Sequence, residues 1–229
     1  MSSVVGHNPF STCFTRPGKV PYFWPGSDRH SDNRVELESL IDRFVGNRCV
    51  GQIVGPHGCG KTTLCHVIAD ELGEIFPTVD YVAIRSGRDV EAMRYKNSLR
   101  DSSTTPGAKL TIVDGAERVS LLQQRMIVAN LARSKSFDPE LTDPSSRQQK
   151  RFGLKPKLTN GLLFTSHRPL KFVPTLLSVA PSLAAFINVA KYLDPSLEMA
   201  EDQFAKLFGQ ADQNIREAIM LLYDRHESK

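Results

Sequence analysis

The sequence predicts an α/β fold of three layers: a mostly parallel five-stranded sheet between helices, with a small helical lid at the C-terminal end. Two observations carry this expectation. Short β-prone apolar runs alternate with helical patterns along most of the chain, an order that builds parallel sheets covered on both faces. One of those runs also passes through a glycine-rich loop directly into a helical pattern.

A chain of 229 residues with 40% hydrophobic content buries one substantial core and leaves room for a small appendage. The formal charge of +4 permits contact with nucleic acid or an acidic surface and selects neither. Cys13, Cys49, Cys59 and Cys65 are scattered and form no CxxC pair, which argues against a zinc site or a disulfide framework. The N-terminus lacks a basic segment followed by an apolar one, and no apolar run approaches the roughly 18 residues of a membrane span. The expectation is a soluble cytoplasmic protein with reduced thiols and no membrane contact.

Residues 1–33 are rich in Pro, Gly, Ser and aromatics without periodicity and read as an extended N-terminal linker. Val35, Leu37, Leu40, Ile41, Phe44 and Val45 recur at helical spacing, with Asp32 or Asn33 as the N-cap. Strand-length runs follow at 49–54, 79–84, 110–114 and 162–165, and a helical pattern spans Glu117 to Arg133. The fifth strand is assigned to Phe186–Leu193. Two helices, Pro195 to Phe208 and Ile215 to His226, separated by Gly209, complete a lid over 194–229, leaving 34–193 as the core. Residues 134–160 interrupt that core. Lys135, Arg147, Lys150, Arg151, Lys155 and Lys157 outnumber Asp138, Glu140 and Asp143 there, so the segment reads as a basic insertion, either solvated or touching a phosphate backbone or partner.

The chemistry centres on Gly55-Pro56-His57-Gly58-Cys59-Gly60-Lys61-Thr62, followed by Thr63. In such a P-loop the glycines open the turn, backbone N–H groups face phosphate oxygens and the lysine reaches the β- and γ-phosphates. Thr62 supplies a hydroxyl for Mg²⁺. The strand before and the helix after are what the mechanism requires, so the chain is read as a P-loop NTPase that binds ATP, with other NTPs as the alternative. Asp114, at the end of the 110–114 run, is the carboxylate expected to order the metal. Hydrolysis needs a group to orient water, and Glu117, three residues on, is the candidate. Thr165, Ser166 or His167, at the end of the 162–165 run, could sense the γ-phosphate or cap a helix; Arg168 could offer a cation or simply face solvent. Neither His57 nor Cys59 is assigned a regulatory role, since variable positions in a phosphate loop tolerate many residues. Cys59 would sit near Lys61 and a helix N-terminus, both of which lower a thiol pKa, so that oxidation could block the loop.

This constellation resembles the AAA+ ATPases, especially the origin-recognition-like and transposition-helper branch, over about residues 8–226. The resemblance implies that Asn8-Pro9-Phe10 is the linker contacting adenine, that 55–62 and Thr111–Asp114 are Walker A and Walker B, and that Thr165 is sensor 1. It also implies that Arg216 is the sensor 2 arginine on the lid helix, coupling the lid to the γ-phosphate. Two departures stand out. Gly115, rather than an acid, follows Asp114, and Phe172 to Ala185 contains no arginine to act as a trans finger. An oligomer is therefore open, and turnover is expected to be slow or partner-dependent.

The functions left by this reading are an ATPase or ATP-driven switch acting on an unidentified protein or DNA partner, a small-molecule kinase using Arg85, Arg88, Arg94 and the basic insertion, and a nucleotide-binding adaptor with little turnover. No Asn-Lys-x-Asp stretch follows Asp114, which argues against a guanine-nucleotide switch.

Overall fold

The computed structural model describes residues 8–24, 30–84, 108–118, 120–122, 124–125 and 160–228, with 30–33 in backbone only. Arg85, Arg88, Arg94, the basic insertion up to residue 159 and the helical pattern beyond Arg125 lie outside the described residues. Helix α1 (His30–Gly46) precedes β1 (Val50–Val54), α2 (Lys61–Glu71), β2 (Thr78–Ala83) and β3 (Lys109–Asp114). A 3-10 turn at Ala116–Arg118, β4 (Asn160–Ser166), β5 (Thr175–Ser178), α3 (Leu183–Leu193), α4 (Glu201–Gln210) and α5 (Ile215–Glu227) follow. Because α1 begins at His30, Asp32 and Asn33 fall inside its first turn rather than capping it.

The five strands lie in the order β2-β3-β4-β1-β5, and each neighbouring pair is parallel. Every residue of β1 is buried, as are Gly161 to Ser166 of β4. Strands buried along nearly their whole length in this way are those covered on both faces. Among the described residues no helix is long and apolar enough to cross a membrane, and no disulfide joins the four cysteines.

Two assignments made from the sequence are corrected. Phe186–Leu193 is not the fifth strand but most of α3. An apolar run of that length fits either element by pattern alone; here Ser182 accepts from the Ala185 N–H as N-cap, and Phe186 and Ala190, one turn apart, are both fully buried. The fifth strand is Thr175–Ser178 instead. Gly209 does not separate the last two helices either, since it lies within α4. The chain turns at Asp212 and Gln213, which adopt φ of 50° and 59°.

Contacts divide the chain into two compact units, one comprising Met1–Glu36, Gly55–Val67 and Val179–Lys229, the other Leu37–Val54 and Ile68–Ser178. In the first, Phe186 anchors a helical core, edge-on to Phe204 and stacked on Phe208, each at 5.7 Å between ring centres. Phe10 is buried in the same cluster, beside Ala218, Ile219 and Leu222 of α5. Asn8 ties that segment down by donating to the Tyr223 carbonyl at 3.1 Å and to Glu227 Oε1 at 2.8 Å.

In the second unit Gln52, at the middle of β1, holds the connection between β4 and β5. Its amide nitrogen donates to the carbonyls of Leu170 and Val173 at 3.1 and 2.7 Å and to Thr175 Oγ1 at 3.2 Å. Its oxygen accepts from the Leu170 N–H at 2.8 Å and from the Ser166 hydroxyl. Replacing Gln52 by leucine strands these buried groups without partners, at a cost of about 2–4 kcal/mol. Urea unfolding of Gln52→Leu should show that loss as a lower midpoint with an unchanged slope; a midpoint equal to wild type would mean that the network is not stabilising.

Candidate phosphate-binding site

The segment after β1 turns sharply because its glycines take conformations that other residues resist. Gly58 and Gly60 have φ of 71° and 88°, in the left-handed region where a Cβ costs about 1–2 kcal/mol. The same positions have no room for a side chain. A Cβ on Gly55 would collide with the Val179 carbonyl, one on Gly58 with Asn214 Oδ1, and one on Gly60 would press on the Tyr22 ring at 3.2 Å.

Helix α2 begins at Lys61, so the loop runs into a helix N-terminus with Thr62 and Thr63 half-buried in its first turn. Lys61 is 7% exposed, and its ammonium donates to the loop carbonyls of Gly55 and Pro56 at 2.7 and 2.6 Å. A buried ammonium inside a turn of glycines, at the start of a helix, is a cradle for an anion. Its fit to a phosphate chain rests on these groups alone.

At the carboxyl end of the sheet, the Thr165 hydroxyl donates a short hydrogen bond to Asp114 Oδ1. The register sets up this pair: Thr165 stands opposite Ile53 of β1, while Phe164, one residue before it, stands opposite Val113 of β3. Gly115 then turns with φ of 80°, where a Cβ would lie 2.7 Å from the Ile84 carbonyl. No acidic side chain fits directly after Asp114, which accounts for the departure noted in the sequence. The 3-10 turn that follows carries Glu117 back to the same strand end, where Glu117 Oε2 accepts from the His167 N–H at 3.3 Å.

The remaining candidates separate. Ser166 is buried and turned to Gln52, whereas Arg168 and His57 are exposed. Thr165 and Ser166 lie within β4, with no helix starting directly after them, so neither is a helix cap. Arg216 is exposed in the first turn of α5, and its N–H donates to Asn214 Oδ1 at 3.0 Å. The side chains of Asn8 and Phe10, which the resemblance assigns to adenine, are committed to α5 and to the helical core.

Sequence reasoning missed Asn214 and Tyr22. Asn214 stood legible as an N-cap before an apolar helix, but its contact with Gly58 is a tertiary fact. Tyr22, buried against Gly60 and edge-on to Trp24 at 5.2 Å, left no sequence signal beyond its aromatic neighbours.

Cys59 also departs from expectation. Burial raises its thiol pKa, and the lowering effects of Lys61 and of backbone N–H groups do not overcome that. Its Sγ donates to the Pro56 carbonyl at 3.1 Å, so the lowered thiol pKa that the neighbouring Lys61 and helix N-terminus suggest in the sequence is replaced by a protonated thiol packed in the loop. Burial likewise pushes the Tyr22 phenol up, helped by the nearby Cys59 and Glu36. Both groups stay protonated in the fold after the unfolded chain would ionise. Their contribution to stability is complete below the unfolded thiol pKa of about 8.5 and is lost as pH rises through their folded values. Alkylation of the native protein at pH 8 should therefore modify the exposed Cys13 well before Cys59; equal rates, or Cys59 first, would contradict the burial argument.

Residues 52–126 match the family described as the ATPase family associated with various cellular activities (AAA). That stretch runs from β1 through the glycine loop, Asp114 and Glu117. A search of curated protein sequences finds no match. Among solved structures, a chain in the structure of Drosophila ORC bound to DNA is similar at 15% identity and a TM-score of 0.52, covering 89% of this chain. This chain spans 56% of that one, little more than half its length. Caenorhabditis elegans PCH-2 is similar at 15% identity and a TM-score of 0.40, covering 95% of this chain and 74% of that one. Over residues 52–126, then, the chain is similar to the AAA ATPase family, and its five-stranded parallel sheet is similar in fold to the Drosophila ORC chain.

Proposed function

We propose that the chain binds Mg-ATP on Gly55–Thr63 and turns it over as a slow ATPase or ATP-driven switch acting on a macromolecular partner. The observation that carries this reading is the glycine loop with its buried lysine. Lys61 already sits on the loop's own carbonyls, so an incoming phosphate would exchange those acceptors for its own oxygens with little reorganisation. In this reading the loop's N–H groups, from Gly55 through Pro56, His57, Gly58, Cys59 and Gly60 to Thr63 (Pro56 excepted, having none), face phosphate. Thr62 would offer its hydroxyl to Mg²⁺, and Asp114, at the end of β3, would be the carboxylate for that metal.

Bound Mg-ATP supplies the phosphoanhydride that water cleaves. Glu117 is the group we assign to orienting that water, tethered by the His167 N–H at the end of β4, beside the Thr165–Asp114 pair. Thr165 acts as the sensor of phosphate state through its bond to Asp114, and Arg216 carries that state to α5. With Gly115 excluding an acid next to Asp114, turnover is slow and waits on a partner. DNA is the partner to try first, because the structural neighbour from Drosophila is an ORC structure bound to DNA.

Phosphate release and equilibrium ATP binding, measured on the same preparations with and without duplex DNA, test this reading. Wild type should bind Mg-ATP and release phosphate slowly, Lys61→Ala should lose binding by a factor on the order of a hundred, and Glu117→Gln should bind normally and stall. Binding that survives Lys61→Ala, or turnover that survives Glu117→Gln, would remove the respective assignment.

A further inference from the structure

Beyond the assigned residues, one contact joins the glycine loop to the last helix, and it runs through a single side chain. Asn214 is the N-cap of α5, and its Oδ1 accepts from the N–H groups of Arg216 and Glu217 at 3.0 and 3.3 Å. The same oxygen lies against Gly58, so closely that any side chain there would strike it. The chain reaches this position through an expensive turn. Asp212 and Gln213, neither a glycine, both take left-handed φ values, a conformation that costs on the order of 1 kcal/mol or more per residue. Hydrogen bonds from Gln213 N to Phe208 O at 2.9 Å and from Asn214 N to Ala211 O at 2.9 Å fix it.

A cap needs only a side-chain oxygen for the first-turn N–H groups, and serine, threonine or aspartate would serve as well. Capping therefore leaves the proximity to Gly58 unexplained. We infer that Asn214 is a positioning residue that couples the conformation of the glycine loop to the first turn of α5, and with it the backbone of Arg216. The inference rests on the nucleotide-binding reading above. A loop drawn toward phosphate oxygens moves Gly58, and the Asn214 amide, neutral and with its oxygen already held by two helix N–H groups, transmits that movement to α5 without placing a negative charge on the loop.

Neutrality makes the idea testable, because aspartate caps a helix as well as asparagine does but would set a carboxylate beside the phosphate loop. Mg-ATP affinity and dissociation rate would be measured on the full chain for wild type, Asn214→Asp, Asn214→Ser and Gln213→Glu, with thermal midpoints alongside. Asn214→Asp should keep its midpoint within about 2 °C yet lose affinity by a factor on the order of ten to a hundred. Asn214→Ser, which caps without reaching the loop, should release nucleotide about threefold faster or more. Gln213→Glu adds the same charge one residue away at an exposed position and should change affinity less than about twofold. Equal affinity for wild type and Asn214→Asp, or equal losses for Asn214→Asp and Gln213→Glu, would overturn the coupling. Failure of the wild type itself to bind Mg-ATP would be a different result, overturning the nucleotide reading on which the coupling depends.

Discussion

A turn made of glycines governs this molecule. Gly55, Gly58 and Gly60 are each in a place where a Cβ would meet another part of the chain: the exit of β5 at Val179, the cap of α5 at Asn214, and the N-terminal segment at Tyr22. Three segments far apart in sequence thus converge on one loop, and each does so only because the loop has no side chains at those points. The buried ammonium of Lys61 completes the arrangement by tying the loop to itself. Within this unit the helical core around Phe186 and the anchoring of Asn8 and Phe10 on α5 hold two of those segments in position.

The sheet solves a separate problem with a similar economy. Parallel strands bring their carboxyl ends to one edge, and the register sets Thr165 where its hydroxyl meets Asp114. Gly115 and the 3-10 turn then return Glu117 to that edge, at the His167 N–H. Gln52 stabilises the connection beyond β4 from beneath, using nearly the whole hydrogen-bonding capacity of one amide.

Much of this was legible in the sequence, for identifiable reasons. The strand, loop and helix around Lys61 were legible because the loop needs glycines at set positions and the flanking elements have short, bounded apolar runs. Asp114 was legible because it ends such a run. What escaped was set by tertiary contacts or by ambiguous local signals. Thr175–Ser178 has only two apolar residues between a threonine and a serine, too little pattern for a strand, whereas Phe186–Leu193 is apolar enough to suit either element. Gly209 looked like a helix terminator, but the turn was made by Asp212 and Gln213 at the expense of backbone strain. The thiol of Cys59 was misjudged because its charged neighbour is visible in sequence and its burial is not.

The most direct test of the central claim is amide hydrogen exchange, followed residue by residue, on the wild-type protein with and without Mg-ATP. The account predicts that nucleotide slows exchange at the loop N–H groups between Gly55 and Thr63 and, through Asn214, at Arg216 and Glu217 in the first turn of α5. Protection confined to other parts of the chain, or no change at the loop under saturating Mg-ATP, would contradict it.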